Sequence, residues 1–122
     1  MSRVGLQDAF FKSEGHKERF QEAMQQNGKI YDGLYDPEYS AALYILTSDA
    51  STWNKAQEYV EFTGIDFPTM REEIDFSGGY SVLILLASNL FNGQMHIDPL
   101  EFLRLDDTNF EVAMTAIRLR RD

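Results

Sequence analysis

The chain has 122 residues with 11 basic and 20 acidic side chains, so its net charge is −9 at pH 7. Its length suits one domain, and 43% hydrophobic with 25% charged residues is typical of a globular protein. The absence of cysteine excludes disulfides, thiolate nucleophiles and cysteine-based zinc sites. No apolar run approaches the roughly twenty residues that span a bilayer, and no signal peptide is evident. We therefore expect a soluble, cytoplasmic protein.

Helix-capping residues divide the first half of the chain. Residues 13–27 have a serine cap, an apolar stripe and an Asn-Gly end, the pattern of an amphipathic helix. An Asp-Pro pair then starts a helix over residues 37–47, which is apolar nearly all round and is expected at the centre of the fold. Ser51 or Thr52 caps a third helix, which ends before Gly64.

The second half begins with the least regular stretch, residues 64–76, where Pro68 disfavours helical geometry at Phe67. A strongly apolar helix follows over residues 78–91. A β-strand is the competing interpretation of that segment, but its length, serine cap and Asn-Gly end favour a helix. After a second Asp-Pro start at Asp98, a last helix is predicted with one apolar face formed by Phe110, Ala113, Met114 and Ile117.

These elements predict an all-α fold. The expected architecture is a compact single-domain bundle of five to seven helices over residues 1–122, with two apolar central helices at about 37–47 and 78–91. Residues 1–9 are expected to form a disordered N-terminus. The sequence shows no internal repeat or linker.

The acidity is concentrated in residues 32–75, which hold ten acids against two bases, a net charge of −8. Five of the six tyrosines and the only tryptophan lie in or beside this segment. Such a surface repels a phosphate backbone and suits a basic protein partner, although solvated helix faces and caps explain part of the same pattern. The predicted interaction surface consists of Asp32, Tyr35, Trp53, Glu58, Tyr59, Glu61, Asp66, Glu72 and Glu73.

His16 and His96 are the only histidines, and either one with a carboxylate could bind a metal or act in acid–base chemistry. His16 precedes Phe20 of the apolar stripe by one helical turn, so we expect it at the edge of the core, bonded to backbone. His96 is expected in a loop. Because Gly-x-Ser-x-Gly and P-loop motifs are missing, the sequence assigns no catalytic, cofactor-binding or metal-binding residue.

Four segments carry a family resemblance. They are residues 16–20 (His-Lys-Glu-Arg-Phe), 42–46 (Ala-Leu-Tyr-Ile-Leu), 89–93 (Asn-Leu-Phe-Asn-Gly) and 105–118, which contains Asn-Phe-x-x-Ala-x-x-Ala-Ile-Arg. In this order they resemble a bacterial domain-of-unknown-function family of short single-domain proteins, often found near mobile elements. The resemblance implies a helical fold in a bacterial cytoplasm, and it favours roles common on mobile elements, such as inhibition of a host defence protein. It supplies no active-site residue.

Three functions stay open on the sequence. The first is a non-enzymatic protein-interaction or regulatory domain with an unidentified protein partner and no cofactor. The second is a nucleic-acid-mimicking inhibitor of a DNA-binding or defence protein, and the third is a small metal-dependent or acid–base hydrolase using His16 or His96. Binding to nucleic acid or a membrane is not expected, and a homodimer formed through exposed tyrosine and tryptophan is left open. An exposed apolar patch among the acids would favour docking, whereas scattered carboxylates would count against mimicry.

Overall fold

Six α-helices and two short β-hairpins follow one another in the computed structural model, which describes residues 8–76 and 78–121. Two 3₁₀ segments, Gln57–Tyr59 and Pro99–Arg104, connect some of them. The predicted all-α class is confirmed. In chain order the elements are α1 (Glu14–Gln26), β1 (Ile30–Tyr31), β2 (Leu34–Tyr35), α2 (Pro37–Leu46), α3 (Ala50–Ala56), β3 (Val60–Glu61), β4 (Gly64–Ile65), α4 (Phe67–Glu73), α5 (Gly79–Asn92) and α6 (Asp107–Arg121).

Helix α2 lies at the centre of the bundle. All of its residues from Tyr39 to Leu46 are buried, and it packs against α1, α5 and α6. A helix with apolar side chains on every face avoids water only when other elements surround it. Helix α5 is the second buried helix, so both predicted central helices are confirmed and the strand interpretation of the second one is wrong.

The buried C-terminal end of α2 needs hydrogen-bond partners for its last carbonyl groups. Two side chains of α1 provide them: His16 Nε2 lies 2.8 Å from the Tyr44 carbonyl oxygen, and Arg19 Nε donates to the Thr47 carbonyl at 2.9 Å. The hydroxyls of Thr47 and Ser48 bond to carbonyls three or four residues earlier. Helix α1 is therefore fixed to α2 by polar contacts as well as by apolar packing.

The backbone contains two helix–hairpin–helix units, although no repeat is visible in the sequence. In each unit two antiparallel strands of two residues form the hairpin, and an aspartate directly after it caps the next helix. Equivalent positions are thirty residues apart. The paired positions are Ile30–Tyr35 and Val60–Ile65, and the capping residues are Asp36 and Asp66.

Helix starts differ from the predictions at two places. Helix α3 is capped by Asp49, whose carboxylate accepts from the Thr52 amide, rather than by Ser51 or Thr52. Helix α4 begins at Phe67 despite Pro68. Amides in the first helical turn have no intrahelical partner, so a proline at this position costs no hydrogen bond. Ser77, the predicted serine cap of α5, lies outside the described residues.

The predicted apolar face of helix α6 is only partly buried. Ala113 is buried and Met114 packs against the core, whereas Phe110 and Ile117 are exposed. Val112 and Ala116 complete the buried face. Small residues on the inner face let α6 approach α2 closely, and the larger side chains then point outward. The expected disordered N-terminus over residues 1–9 falls almost entirely on residues 1–7, outside the described residues.

Candidate interaction surface

The two hairpins lie side by side and share one lysine. Lys29, which precedes β1, is 7% exposed, and its ammonium lies 4.1 Å from the ring centroids of both Tyr39 and Phe62. A cation between two aromatic faces is attracted by both ring quadrupoles. Phe62 belongs to the turn of the second hairpin, whereas Lys29 and Tyr39 flank the first. This contact therefore joins the two helix–hairpin–helix units.

A pair of hydrogen bonds supports the same junction. The Tyr39 hydroxyl donates to the carbonyl oxygens of Glu61 and Phe62, at 2.7 and 3.2 Å. Burial, reinforced by the negative charges of nearby Asp36 and Glu38, raises the pKa of Tyr39 to about 12. The hydroxyl therefore stays protonated at neutral pH and keeps its role as a donor to the second hairpin.

Apolar side chains project into solvent from both hairpins. Leu34 is 68% exposed and Phe62 is 59% exposed, and Tyr31 is about half exposed. Tyr31 and Leu34 are cross-strand partners in the first hairpin. We call the exposed surface of residues 30–35 and 60–65 the hairpin face.

Carboxylates surround these apolar groups. Asp32, Glu38, Glu58 and Glu61 are exposed and lie in or next to the two hairpins. Within residues 8–76 and 78–121, the single ion pair joins Arg104 to Glu101, far along the chain from this surface. The hairpin face therefore combines apolar side chains with negative charge that no basic side chain pairs in the described part of the chain.

Other acids of the 32–75 segment have structural roles. The carboxylates of Asp36, Asp49 and Asp66 accept hydrogen bonds from amides in the first turns of α2, α3 and α4. Glu73 accepts a hydrogen bond from the Tyr59 hydroxyl, and this bond is the main reason that the pKa of Tyr59 is raised. Part of the charge asymmetry thus follows from helix capping rather than from binding.

The nine predicted surface residues divide into two groups. Tyr35 stacks on the ring of Phe20 in α1, with 6.3 Å between centroids, and Trp53 is partly buried against the core, as is Tyr59. The six acids are exposed and spread from the first hairpin to the end of α4. They are Asp32, Glu58, Glu61, Asp66, Glu72 and Glu73.

Sequence reasoning missed the most exposed apolar side chains of this surface, Leu34 and Phe62. An Asp-Gly dipeptide between short apolar stretches is a strong signal for a hairpin with a type I′ turn, and residues 30–35 contain one. Asp32 has φ 51° and Gly33 has φ 78°, as that turn requires. Recognition of this hairpin would have placed Leu34 on an exposed strand. The Phe62-Thr63 turn of the second hairpin carries no comparable signal.

A cavity of about 360 Å³ opens beside the second hairpin. Glu58, Glu61 and Asp66 contribute carboxylates to it, and Tyr59 and Ile65 contribute apolar surface. Its position extends the hairpin face towards α4. A long cationic side chain fits this lining, because its alkyl part can pack on apolar groups while its charged end meets the carboxylates.

His16 is completely buried, deeper than the predicted core edge, and bonds to backbone as expected. Its Nδ1 accepts from the Lys12 amide at 3.1 Å, and its Nε2 bonds to the Tyr44 carbonyl oxygen. Burial lowers the pKa of His16 to about 4. Since both ring nitrogens are engaged by backbone groups, this histidine is a structural element between α1 and α2 and not a free acid or base.

His96 is exposed in the connection between α5 and the second 3₁₀ segment. Within residues 8–76 and 78–121 there is no group of three histidine, aspartate or glutamate side chains arranged to hold a metal ion. The cavity beside the second hairpin is lined by no histidine. A hydrolase based on either histidine therefore has no geometric support in the described part of the chain.

A second exposed apolar site lies on the 3₁₀ helix Pro99–Arg104. Leu103 is 76% exposed, and Leu100 is similarly exposed one turn earlier. The neighbouring charges, Glu101 and Arg104, neutralise each other in an ion pair of 2.7 Å. Exposed Asp98, Asp106 and Asp107 flank this 3₁₀ helix, and the carboxylates of Asp98 and Asp106 accept hydrogen bonds from backbone amides. The site therefore differs from the hairpin face in having an exposed basic side chain, Arg104, among its acids.

The fold and surface define a small all-α protein with two coupled β-hairpins that expose apolar and acidic side chains. Residues 6–120 match the model of DUF6075, a family of unknown function, and the chain belongs to that family. The predicted membership of a domain-of-unknown-function family is thereby confirmed. Comparisons with curated proteins and with solved structures give no match. No helix in the described residues has the length and hydrophobicity needed to cross a bilayer.

Proposed function

We propose that this protein is a non-enzymatic protein-interaction or regulatory domain of the bacterial cytoplasm. In this proposal, its acidic 32–75 segment docks on a basic surface of a protein partner. The observation that carries the proposal is the exposure of Leu34 and Phe62 among unpaired carboxylates. Exposed apolar groups with a polar rim are typical of protein-binding sites.

Mimicry of a nucleic acid is the weaker candidate. A mimic presents many carboxylates in rows that imitate two phosphate backbones. In this segment Asp36, Asp49 and Asp66 use their carboxylates as helix caps, and the exposed acids are interleaved with Tyr31, Leu34 and other apolar groups. That arrangement favours an ordinary protein interface over a phosphate-like surface.

Site-specific photo-crosslinking tests the proposed function. A photoreactive amino acid is placed at Leu34, and at Leu103 in a matched variant, since both leucines are highly exposed but only Leu34 lies on the hairpin face. In cells of the native host, we expect the variant at position 34 to crosslink one protein through a peptide rich in lysine or arginine. Crosslinking from position 103 alone, or from neither position, would overturn the proposal.

A further inference from the structure

The hairpin face has the properties of a preformed binding site. Its apolar groups come from two hairpins, with Tyr31 and Leu34 on one and Phe62 on the other. Strands of only two residues are not stable alone, so their positions depend on contacts with the rest of the fold. Lys29 and Tyr39 provide such contacts by joining both hairpins.

Packing at the junction reinforces the fixed geometry. A side chain at Gly28 would place its Cβ 3.4 Å from the Phe62 ring, so that ring packs directly on the backbone before β1. On the inner side, Phe91 of α5 contacts Tyr39, with a centroid distance of 5.2 Å, and Phe67 of α4, at 5.9 Å. Because the two hairpins are already held in position, a ligand does not bear the entropic cost of ordering them.

The charges define the kind of ligand. From residue 28 to residue 66 the chain contains two bases, Lys29 and Lys55, and the ammonium of Lys29 is enclosed between two rings. Asp32, Glu58 and Glu61 remain exposed at the rim. A complementary ligand therefore carries apolar side chains for the centre and cationic side chains for the rim and for the adjoining acidic cavity.

We propose that the two hairpins act as one rigid platform for a polypeptide segment in which apolar side chains are flanked by lysines or arginines. The proposal rests on the proposed function and adds the chemistry of the partner. The apolar side chains of the segment contact Leu34 and Phe62. Its cationic side chains meet Asp32, Glu58 and Glu61, one of them in the cavity of about 360 Å³ lined by Glu58 and Glu61.

Selection from a phage-displayed library of random peptides tests this proposal without knowledge of the partner. The full chain is immobilised, and enriched peptides are measured against Leu34→Ser, Phe62→Ser and the matched control Leu103→Ser, each checked for folding by circular dichroism. Loss of a central apolar anchor weakens binding roughly tenfold or more. We expect that loss for the first two variants only. The enriched peptides should carry net positive charge, and raising the salt concentration should weaken their binding.

Two further variants test the coupling of the hairpins. Lys29→Met removes the shared cation, and we expect the selected peptides to bind it several-fold more weakly, whereas Lys29→Arg retains most of the affinity. Neutral or acidic consensus peptides, equal losses in Leu103→Ser, or no enrichment would overturn the platform proposal. If crosslinking from position 34 still captured one protein through a peptide rich in lysine or arginine in those cases, the proposed function would stand and only the platform for a linear segment would fall.

Discussion

The ammonium of Lys29 lies 4.1 Å from the ring centroid of Phe62 and joins two hairpins that are thirty residues apart in the sequence. The ring of Tyr39 lies at the same distance on the other side of the cation. A lysine that is 7% exposed ordinarily requires a carboxylate to offset the loss of hydration. Here two aromatic faces do so, which leaves the neighbouring carboxylates free to face solvent.

Replacement of the shared lysine should lower stability. Lys29→Met keeps an unbranched apolar chain but removes the charge, so both cation–π contacts are lost. We expect the free energy of unfolding, measured by urea titration at pH 7, to fall by about 1–2 kcal/mol. Lys55→Met is the control, because Lys55 is exposed at the end of α3, and its effect should stay within about 0.5 kcal/mol. Equal effects of the two substitutions would contradict the structural role of Lys29.

The hydroxyl of Tyr39 should hold the second hairpin in place. Tyr39→Phe removes the donor to the carbonyl oxygens of Glu61 and Phe62 while keeping the ring. We expect a loss of about 1 kcal/mol in the free energy of unfolding and faster hydrogen exchange at the backbone amides of the second hairpin. Tyr31→Phe, which changes an exposed tyrosine, should leave both measurements unchanged. Unaltered exchange in Tyr39→Phe would show that the two units are held together by other contacts.

Two substitutions at Asp32 distinguish the effect of its backbone conformation on stability from the effect of its charge. Its φ of 51° is unfavourable for a β-branched residue, so Asp32→Val should cost about 1–2 kcal/mol of unfolding free energy. Asp32→Gly removes the same charge but accepts positive φ, and we expect a change within about 0.5 kcal/mol. Thr63→Val in the other turn serves as control, since positive φ among the described non-glycine residues occurs only at Asp32. Similar losses of unfolding free energy in both Asp32 variants would show that the charge of Asp32, and not its positive φ, accounts for the effect.

The buried helices could be predicted because their signals are local. Residues 37–46 are apolar on every side, and an Asp-Pro pair precedes them, so the helix and its central position follow from the sequence. The orientation of α6 could not be predicted in the same way. The predicted face places Ala113 correctly in the core, but Phe110 and Ile117 of the same face are exposed. Close packing against α2 instead buries Val112 and Ala116 beside Ala113. Tertiary packing overrode the hydrophobic pattern.

The hairpin face was only partly predictable for a different reason. The concentration of acids in residues 32–75 indicated the region, yet Tyr35 and Trp53 turned out to lie partly buried. Leu34 pairs with exposed Tyr31 on the outer side of the first hairpin, and Phe62 lies in the turn of the second hairpin, so neither side chain enters the core. Contact between the hairpins depends on Lys29 and Phe62, which are 33 positions apart. A local sequence pattern cannot predict a contact between residues so far apart in the chain.

His16 should make the protein sensitive to acid. Burial of the ring lowers the pKa of His16 from 6.5, the ordinary value of an exposed histidine, to about 4 in the folded protein. As the pH falls from 6.5 to 4, His16 becomes protonated in the unfolded chain but stays neutral in the folded protein. The free energy of unfolding therefore decreases. The difference of 2.5 in pKa corresponds to roughly 3 kcal/mol, and the loss levels off below pH 4. Protonation of Nδ1 would also remove the acceptor for the Lys12 amide.

A comparison of variants separates this contribution from that of the other ionisable side chains. His16→Gln keeps a side-chain donor for the Tyr44 carbonyl but does not titrate. The free energy of unfolding is measured for wild type and His16→Gln by urea titration at pH 7 and at pH 4. We expect the difference, wild type minus variant, to be about 3 kcal/mol larger at pH 7 than at pH 4. His96→Gln, which changes an exposed histidine, should follow the wild-type pH dependence. A constant difference between wild type and His16→Gln across this range would show that His16 is protonated in the folded protein as readily as in the unfolded chain.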